Sequence, residues 1–317
     1  MKMNKILVTE SNARAKALFA QLEKEGHKVF HIEGIPGEDE ILVHKEIDIL
    51  SVFVNTRVTK EVIEGLPDLK LIVTRSTGVD HIDTVTAIRH NVAIANVAGY
   101  GTAPVAEQTF GLLLSLLRKI IKADASVRAG LWEPFKFQGA NISGKTFGVI
   151  GTGAIGINVC RIAKAFGANV IAYDIMKRED MAREVGFSYV DLKDLIRKSD
   201  IISLHIPSSK ETHHLINAKT ISKMKDGVII VNTARGSIID YKALIEAIKS
   251  GKVAGAALDV YEQEPPEPKS ELCRLENTVL TPHIAWNTVE AENYILDVTI
   301  NTIREFIAGR KPKNIIS

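Results

Sequence analysis

The feature that most constrains how this chain can fold is Gly151-Thr152-Gly153-Ala154-Ile155-Gly156. It lies between a β-branched apolar run at 146–150 and a helical pattern whose one face carries Val159, Ile162, Ala163 and Phe166. In such a unit the first glycine permits a tight turn out of a strand. The second lets a backbone approach a pyrophosphate closely, and the third lets helix and strand pack together. The helix N-terminus adds unpaired N–H groups and the positive end of a dipole. Asp174 ends the next strand, about 20 residues on, where a carboxylate accepts hydrogen bonds from ribose hydroxyls and repels a 2′-phosphate. Residues 145–174 therefore read as a strand, loop and helix that hold the pyrophosphate of a nicotinamide dinucleotide, NAD in preference to NADP. Lys177 and Arg178 read as a solvated loop.

The rest of the chain alternates in the same way, which predicts βαβ units and mainly parallel sheets. Early strands are read at 5–8, 49–54 and 71–74, and a second series at 146–150, 170–173, 201–204, 228–231, 254–258 and 278–280. Ser11 is the expected cap of a helix whose face is Ala15, Leu18, Phe19 and Leu22 and whose end is Gly26. The stretch 104–122 is apolar on nearly every side and predicts one helix buried between domains or subunits. A long amphipathic stretch at 289–307 is expected to pack back on the first domain. For 317 residues the natural outcome is an α/β protein of two doubly wound parallel-sheet domains with a cleft between them.

Charge and composition exclude other classes. The net charge is +2 with no dense Lys/Arg run, so nucleic acid is not an expected partner. The longest apolar run, 110–117, contains Ser115 and soon meets Arg118 and Lys119, too short to cross a membrane. Residues 1–7 lack the pattern of a secretory signal. The only two cysteines, Cys160 and Cys273, suit a reducing compartment, the cytoplasm, and offer no cysteine-based metal site. His213 and His214, read as adjacent helical residues, cannot face one ligand point, so no metal is expected.

In doubly wound sheets ligands bind at the carboxyl ends of strands. Three successive strands end there in Arg235, in Asp259 followed by Glu264, and in His283. These are the groups that carbonyl reduction by NADH requires. His283 protonates the oxygen, or takes the hydroxyl proton in the reverse direction. Glu264 favours the charged ring and fixes its tautomer. Arg235 offers a planar fork that matches a carboxylate.

With those residues in view, the chain closely resembles the D-isomer-specific 2-hydroxyacid dehydrogenase family over essentially its whole length. The stretches that carry the resemblance are STGVDHID (76–83), GTGAIG (151–156), NTARGSIID (232–240), LDVYEQEPP (258–266) and TPHIAW (281–286). The resemblance implies a substrate domain built from both termini, so that the boundaries are 1–98 with 288–317 for a flavodoxin-like substrate domain and 99–287 for a Rossmann-type cofactor domain. It implies a cleft that closes over a small 2-keto or 2-hydroxy acid and a homodimer held by the cofactor domains. It also implies that Arg235 binds the substrate carboxylate, that Glu264 is the partner acid and that His283 is the acid/base. By the same route Gly78 and Val79 match the loop whose N–H groups meet the carboxylate. Gly151, Gly153, Ala154, Ile155, Gly156, Asp174, His205, Pro207, Thr233, Ala234, Asp259 and His283 match cofactor positions, with Asp259 near the nicotinamide carboxamide.

Departures from the family pattern are Ala154, where many members carry Arg, and Gln108, where His is common. The chain stops at Ser317, short of the regulatory domain of long phosphoglycerate dehydrogenases, which removes the reason to expect serine feedback. Glu264, in place of the Gln of formate dehydrogenases, favours a 2-hydroxy acid. The stretch 173–180 is similar to members that act on lactate, whereas Trp286 is more similar to members that act on hydroxypyruvate or glycerate. Trp286 and Tyr100 narrow the pocket wherever they line it, so the expected substrates are pyruvate, hydroxypyruvate or glyoxylate. The alternatives are an NADH-sensing binding protein like the family's corepressors and a phosphite dehydrogenase.

Overall fold

The computed structural model describes residues 3–267 and 269–316. Residues 1 and 2, part of the segment read above for a signal, lie outside them, as does Ser317 at the chain's end. The chain forms two compact units: one runs to Tyr100 and resumes at Thr288, and the other is Gly101–Asn287.

In the first unit the strands are β1 (Lys5–Val8), β2 (Lys28–His31), β3 (Ile49–Val52), β4 (Leu71–Thr74) and β5 (Ala93–Asn96). All pair in parallel in the order β2-β1-β3-β4-β5, the flavodoxin-like arrangement. Every residue of β3 and β4 is buried, as strands covered on both faces must be, and both are apolar apart from Ser51 and Thr74. One face packs Ile6, Val8, Phe19, Leu22 and Val73 against Leu296, Ile300 and Ile303 of the helix Val289–Ile307. The other face is Leu7, Leu50, Val52, Ile72 and Ile94 with the residues around Val62 and Leu66.

Two readings of this unit need correction. Asn12, not Ser11, caps the helix Ala13–Lys24: its side chain accepts the Ala15 N–H at 2.8 Å. The Ser11 hydroxyl lies 2.8 Å from His31 Nδ1 instead. The third strand ends at Val52, because the chain turns at Phe53, whose carbonyl accepts the Thr56 N–H at 3.2 Å.

The second unit holds β6 (Thr146–Ile150), β7 (Asn169–Tyr173), β8 (Ser188–Tyr189), β9 (Ile201–Leu204), β10 (Val228–Asn232), β11 (Val253–Leu258) and β12 (Thr278–Leu280). They pair in parallel in the order β12-β11-β10-β9-β6-β7-β8. Strand order reverses at β6, whose neighbours are β7 and β9, and this switch point is where a Rossmann sheet binds its ligand.

The apolar stretch at 104–122 is not one helix. It breaks after Leu117: Lys119 takes a left-handed φ of 53°, and a second helix, Ile120–Arg128, has no buried residue. Ala106, Phe110, Leu112 and Leu113 of Thr102–Leu117 join Phe147, Val149, Val159 and Val279 in the core of their own unit. Cys160 belongs to that core, and its burial pushes the thiol up to about 12.

Candidate active site

The glycine loop follows β6 as its sequence requires. Gly151 takes φ +97°, and a Cβ there would meet the His205 carbonyl oxygen at 2.5 Å. A Cβ on Gly156 would meet the Gly151 oxygen at 1.9 Å, so this glycine sets how closely the helix Ala154–Ala165 approaches the strand. Gly153 differs: nothing lies within 4 Å of its would-be Cβ. It is the helix N-cap, and no side chain caps the turn. The N–H groups of Ala154, Ile155 and Gly156 thus begin a helix beside open space, a fit for a pyrophosphate that needs donors, room and a dipole. Ala154 is exposed there and adds no charge of its own.

Asp174, after β7, turns its carboxylate onto the same loop. Oδ2 accepts the Thr152 N–H at 2.5 Å and the Thr152 hydroxyl at 3.1 Å, and Oδ1 accepts the Met176 N–H at 2.9 Å. Across the switch point His205, after β9, places Nε2 2.7 Å from the Ser203 hydroxyl, and burial lowers the ring's pKa to about 3. It is a neutral ring at physiological pH. Pro207 is exposed, and its carbonyl accepts the Thr212 hydroxyl at 2.7 Å.

At the ends of β10, β11 and β12 the predicted acid/base residues converge. His283 Nδ1 stands 2.7 Å from Glu264 Oε2, while Glu264 Oε1 accepts the Tyr261 N–H at 2.9 Å. Burial pushes the Glu264 carboxyl up. Its hydrogen bond and charge attraction with His283, the Tyr261 N–H and the Arg235 charge outweigh that and leave it below its ordinary value. With Nδ1 committed, Nε2 is the ring nitrogen left for proton transfer. Gly236 packs against the neighbouring loop only because it has no side chain, since a Cβ there would meet the Tyr261 carbonyl at 1.9 Å, and Arg235 beside it donates a guanidinium N–H to the Ala234 carbonyl at 2.8 Å. Asn232 fixes the Arg235 loop, its amide donating to the Arg235 carbonyl at 2.8 Å and its oxygen accepting the Ala234 N–H at 3.0 Å. Thr233 is buried with its hydroxyl 2.9 Å from that of Thr109.

Asp259 is fully buried. Its carboxylate accepts the Thr281 hydroxyl at 2.5 Å and the N–H groups of Ile284 and Ala285 at 3.0 and 2.8 Å. Burial outweighs these bonds and raises its pKa. Trp286 donates its ring N–H to the His283 carbonyl at 3.1 Å.

In the first unit Gly78 and Val79 lie in the turn after β4 and are half-buried. The Ser76 hydroxyl donates to the Gly78 carbonyl at 2.7 Å, and Tyr100 is half-buried at the unit's edge. His213 and His214 lie in a turn, not the helix read from sequence; their rings stack at 3.9 Å, and His214 Nε2 is 2.7 Å from Glu262. Among the described residues no group of three or more His, Cys, Asp or Glu could hold a metal ion. Among them, too, no helix is long and apolar enough to cross a membrane.

Sequence reasoning passed over Asn232, Thr281 and Tyr189. Asn232 and Thr281 stand inside quoted motifs, at the ends of β10 and β12, and that placement was the available signal. Nothing in the sequence marks Tyr189.

A family model described as the NAD-binding domain of D-isomer specific 2-hydroxyacid dehydrogenases matches residues 110–285. A glyoxylate reductase of Thermococcus litoralis is 39% identical over 86% of this chain and 84% of its own length. A D-3-phosphoglycerate dehydrogenase of Archaeoglobus fulgidus is 42% identical over 93% of this chain, which spans only 56% of that protein. A D-lactate dehydrogenase of Aquifex aeolicus, solved with NAD and lactic acid, superposes with a TM-score of 0.88 at 34% identity and 98% coverage of both chains. The chain belongs to the D-isomer-specific 2-hydroxyacid dehydrogenase family. It is an NAD-dependent oxidoreductase of 2-keto and 2-hydroxy acids.

Proposed function

We propose that the chain reduces a small 2-keto acid, glyoxylate foremost and hydroxypyruvate or pyruvate within the same class, to the corresponding 2-hydroxy acid. The observation that carries this reading is the 2.7 Å pair of His283 Nδ1 and Glu264 Oε2 at the carboxyl edge of a dinucleotide-binding sheet. Arg235 binds the substrate carboxylate as a bidentate fork, with the Gly78 and Val79 N–H groups as further donors. His283 Nε2–H gives its proton to the carbonyl oxygen as the hydroxyl forms, and the positive ring is stabilised by Glu264 until that step. The dinucleotide, when bound, supplies the hydride to the carbonyl carbon. Gly151, Gly153, Ala154, Ile155 and Gly156 hold its pyrophosphate and Asp174 its adenosine ribose. His205, Pro207, Thr233, Ala234, Asp259 and His283 line its nicotinamide half. Tyr100 and Trp286 limit the length of the acid, and the relative named a glyoxylate reductase supports a short one.

The same reading assigns residues 1–98 with 288–317 to the substrate and 99–287 to the cofactor. It also makes the protein a cytoplasmic homodimer. Ile121, Leu131, Trp132 and Phe135 are all exposed on the cofactor unit, Trp132 at 83% and Phe135 at 97%, more apolar surface than a monomer ordinarily shows to water. Both thiols are free, which supports a reducing compartment.

The test is NADH oxidation at 340 nm with glyoxylate, hydroxypyruvate, pyruvate and longer or branched 2-keto acids. Turnover is expected to be highest with the two- and three-carbon acids. Silence across the panel would overturn the activity, and a preference for long acids would overturn the assignment of Tyr100 and Trp286.

A further inference from the structure

We infer that Tyr189, on the short edge strand β8, is a positioning residue for cofactor choice: its phenol locks the Asp174 carboxylate and the loop behind it in the form that accepts a ribose diol and rejects a 2′-phosphate. This rests on the reading of Asp174 as the ribose ligand.

Four groups from three segments form one chain of hydrogen bonds. The Arg178 N–H donates to the Tyr189 oxygen at 2.9 Å. That oxygen lies 2.7 Å from the Thr152 hydroxyl, which donates to Asp174 Oδ2 at 3.1 Å. The direction is determined throughout. An ionised carboxylate only accepts, so the single Thr152 hydroxyl proton goes to Asp174. Tyr189 must then donate to Thr152, and its own lone pair takes the Arg178 N–H. With the Thr152 N–H also on Oδ2 and the Met176 N–H on Oδ1, three of the carboxylate's roughly four acceptor positions are in use before any ligand arrives. The position left belongs to Oδ1, so both the orientation of the carboxylate and the oxygen it offers are set within the protein.

Tyr189 is placed to do this because β8 pairs with β7 in register, Ala172 opposite Tyr189, two residues before Asp174. The ring is wedged edge-on against Phe187 at 5.3 Å. Its face holds the Lys177 ammonium, 6.0 Å from the centroid. Lys177 is a cation that could otherwise greet a 2′-phosphate. One side chain thus orders the anion that selects against the phosphate and occupies a cation that would select for it.

Tyr189→Phe removes only the hydroxyl and keeps the ring. One hydrogen bond in such a network is worth about 3- to 10-fold, so the variant is expected to raise KM for NADH by that factor while kcat changes less than twofold. KM for NADPH should stay level or fall, and the NADH over NADPH preference should drop by the same factor. Tyr189→Leu, which also frees Lys177, should drop it further. In an Asp174→Ala background Tyr189→Phe should have no further effect on the preference, because it acts through that carboxylate. Equal changes for both cofactors, or the same effect in the Asp174→Ala background, would show a merely structural tyrosine and overturn the inference. If Asp174→Ala shifts the preference and Tyr189→Phe does not, the inference falls while the reading of Asp174 stands. If Asp174→Ala itself leaves the preference unchanged, both fall.

Discussion

His283 adopts a φ of 53°, a left-handed conformation that a residue with a side chain takes only when its surroundings compel it. They do so through Asp259. Its carbonyl accepts the His283 N–H at 2.8 Å, and its carboxylate takes the next two N–H groups and the Thr281 hydroxyl. Asp259→Ala would leave the Thr281 hydroxyl and the Ile284 and Ala285 N–H groups without their acceptor, at about 1–3 kcal/mol for the buried Ala285 N–H and less for the other two. The expected loss of stability in urea unfolding is about 2–5 kcal/mol. An unchanged midpoint would mean that the loop is held by something else.

His283→Ala should lower kcat on the order of 100-fold or more while NADH titrated by fluorescence binds within a few-fold of normal. Glu264 can be tested by pH. Its carboxyl is held below its ordinary value of 4.5 in the fold, so its ionised contribution is complete above that value and disappears as pH falls through the lower folded one. The acid limb of kcat/KM that reports Glu264 should therefore lie below pH 4.5 and be missing in Glu264→Gln. A limb near neutrality that vanished in the variant would contradict the assignment. That Glu264 and His283 meet was legible in the sequence because both follow the ends of successive strands of one sheet. The part Asp259 plays in bending the histidine loop was not, since residue type does not say which way a buried carboxylate points.

The helix after β6 offers a contrast between two glycines of one motif. Gly156→Ala brings a Cβ against backbone at 1.9 Å, so it should destabilise the unit and abolish NADH binding together. Gly153→Ala meets nothing within 4 Å and sits at an ordinary φ of −64°, so melting temperature should hold while NADH affinity falls. Equal losses of stability in both variants would refute the view that the middle glycine serves the ligand and the third serves the fold. Elements with a strong period were legible almost to the residue: β6, β9, β12 and the helix Val289–Ile307 end where the pattern ends. The failures have physical causes. The stretch at 104–122 is apolar on nearly every side, with apolar residues on both sides of Arg118 and Lys119, so hydrophobicity alone could not reveal the left-handed Lys119 that divides it. Edge strand β8 is two residues long, too short for any period, and β2 is only half-buried.

At the scale of the molecule the two units differ in how their sequences close. The cofactor unit is continuous from Gly101 to Asn287, and its sheet is covered on one side by the cluster around Phe110 and Phe147 and on the other by that around Leu204 and Leu258. Both covers come from its own residues. The first unit borrows from the far end of the chain. Leu296, Ile300 and Ile303 complete the face formed by Ile6, Phe19 and Val73, Ile315 bridges to Ala95, and Arg14 pairs with Glu292 at 2.9 Å. Burying three large aliphatic side chains is worth about 1.5–3 kcal/mol each, comparable to the whole stability of a small domain. A fragment of residues 101–287 should therefore fold cooperatively and bind NADH, and, on the proposed role of the loop at Gly78 and Val79, which it lacks, it should not turn over keto acid. A fragment ending at Tyr100 should lack a cooperative transition and recover one when a peptide of residues 288–317 is added. Circular dichroism melts of the three samples decide the matter. A fragment ending at Tyr100 that melts cooperatively alone would show that the C-terminal helix is an accessory to that unit and not part of its core.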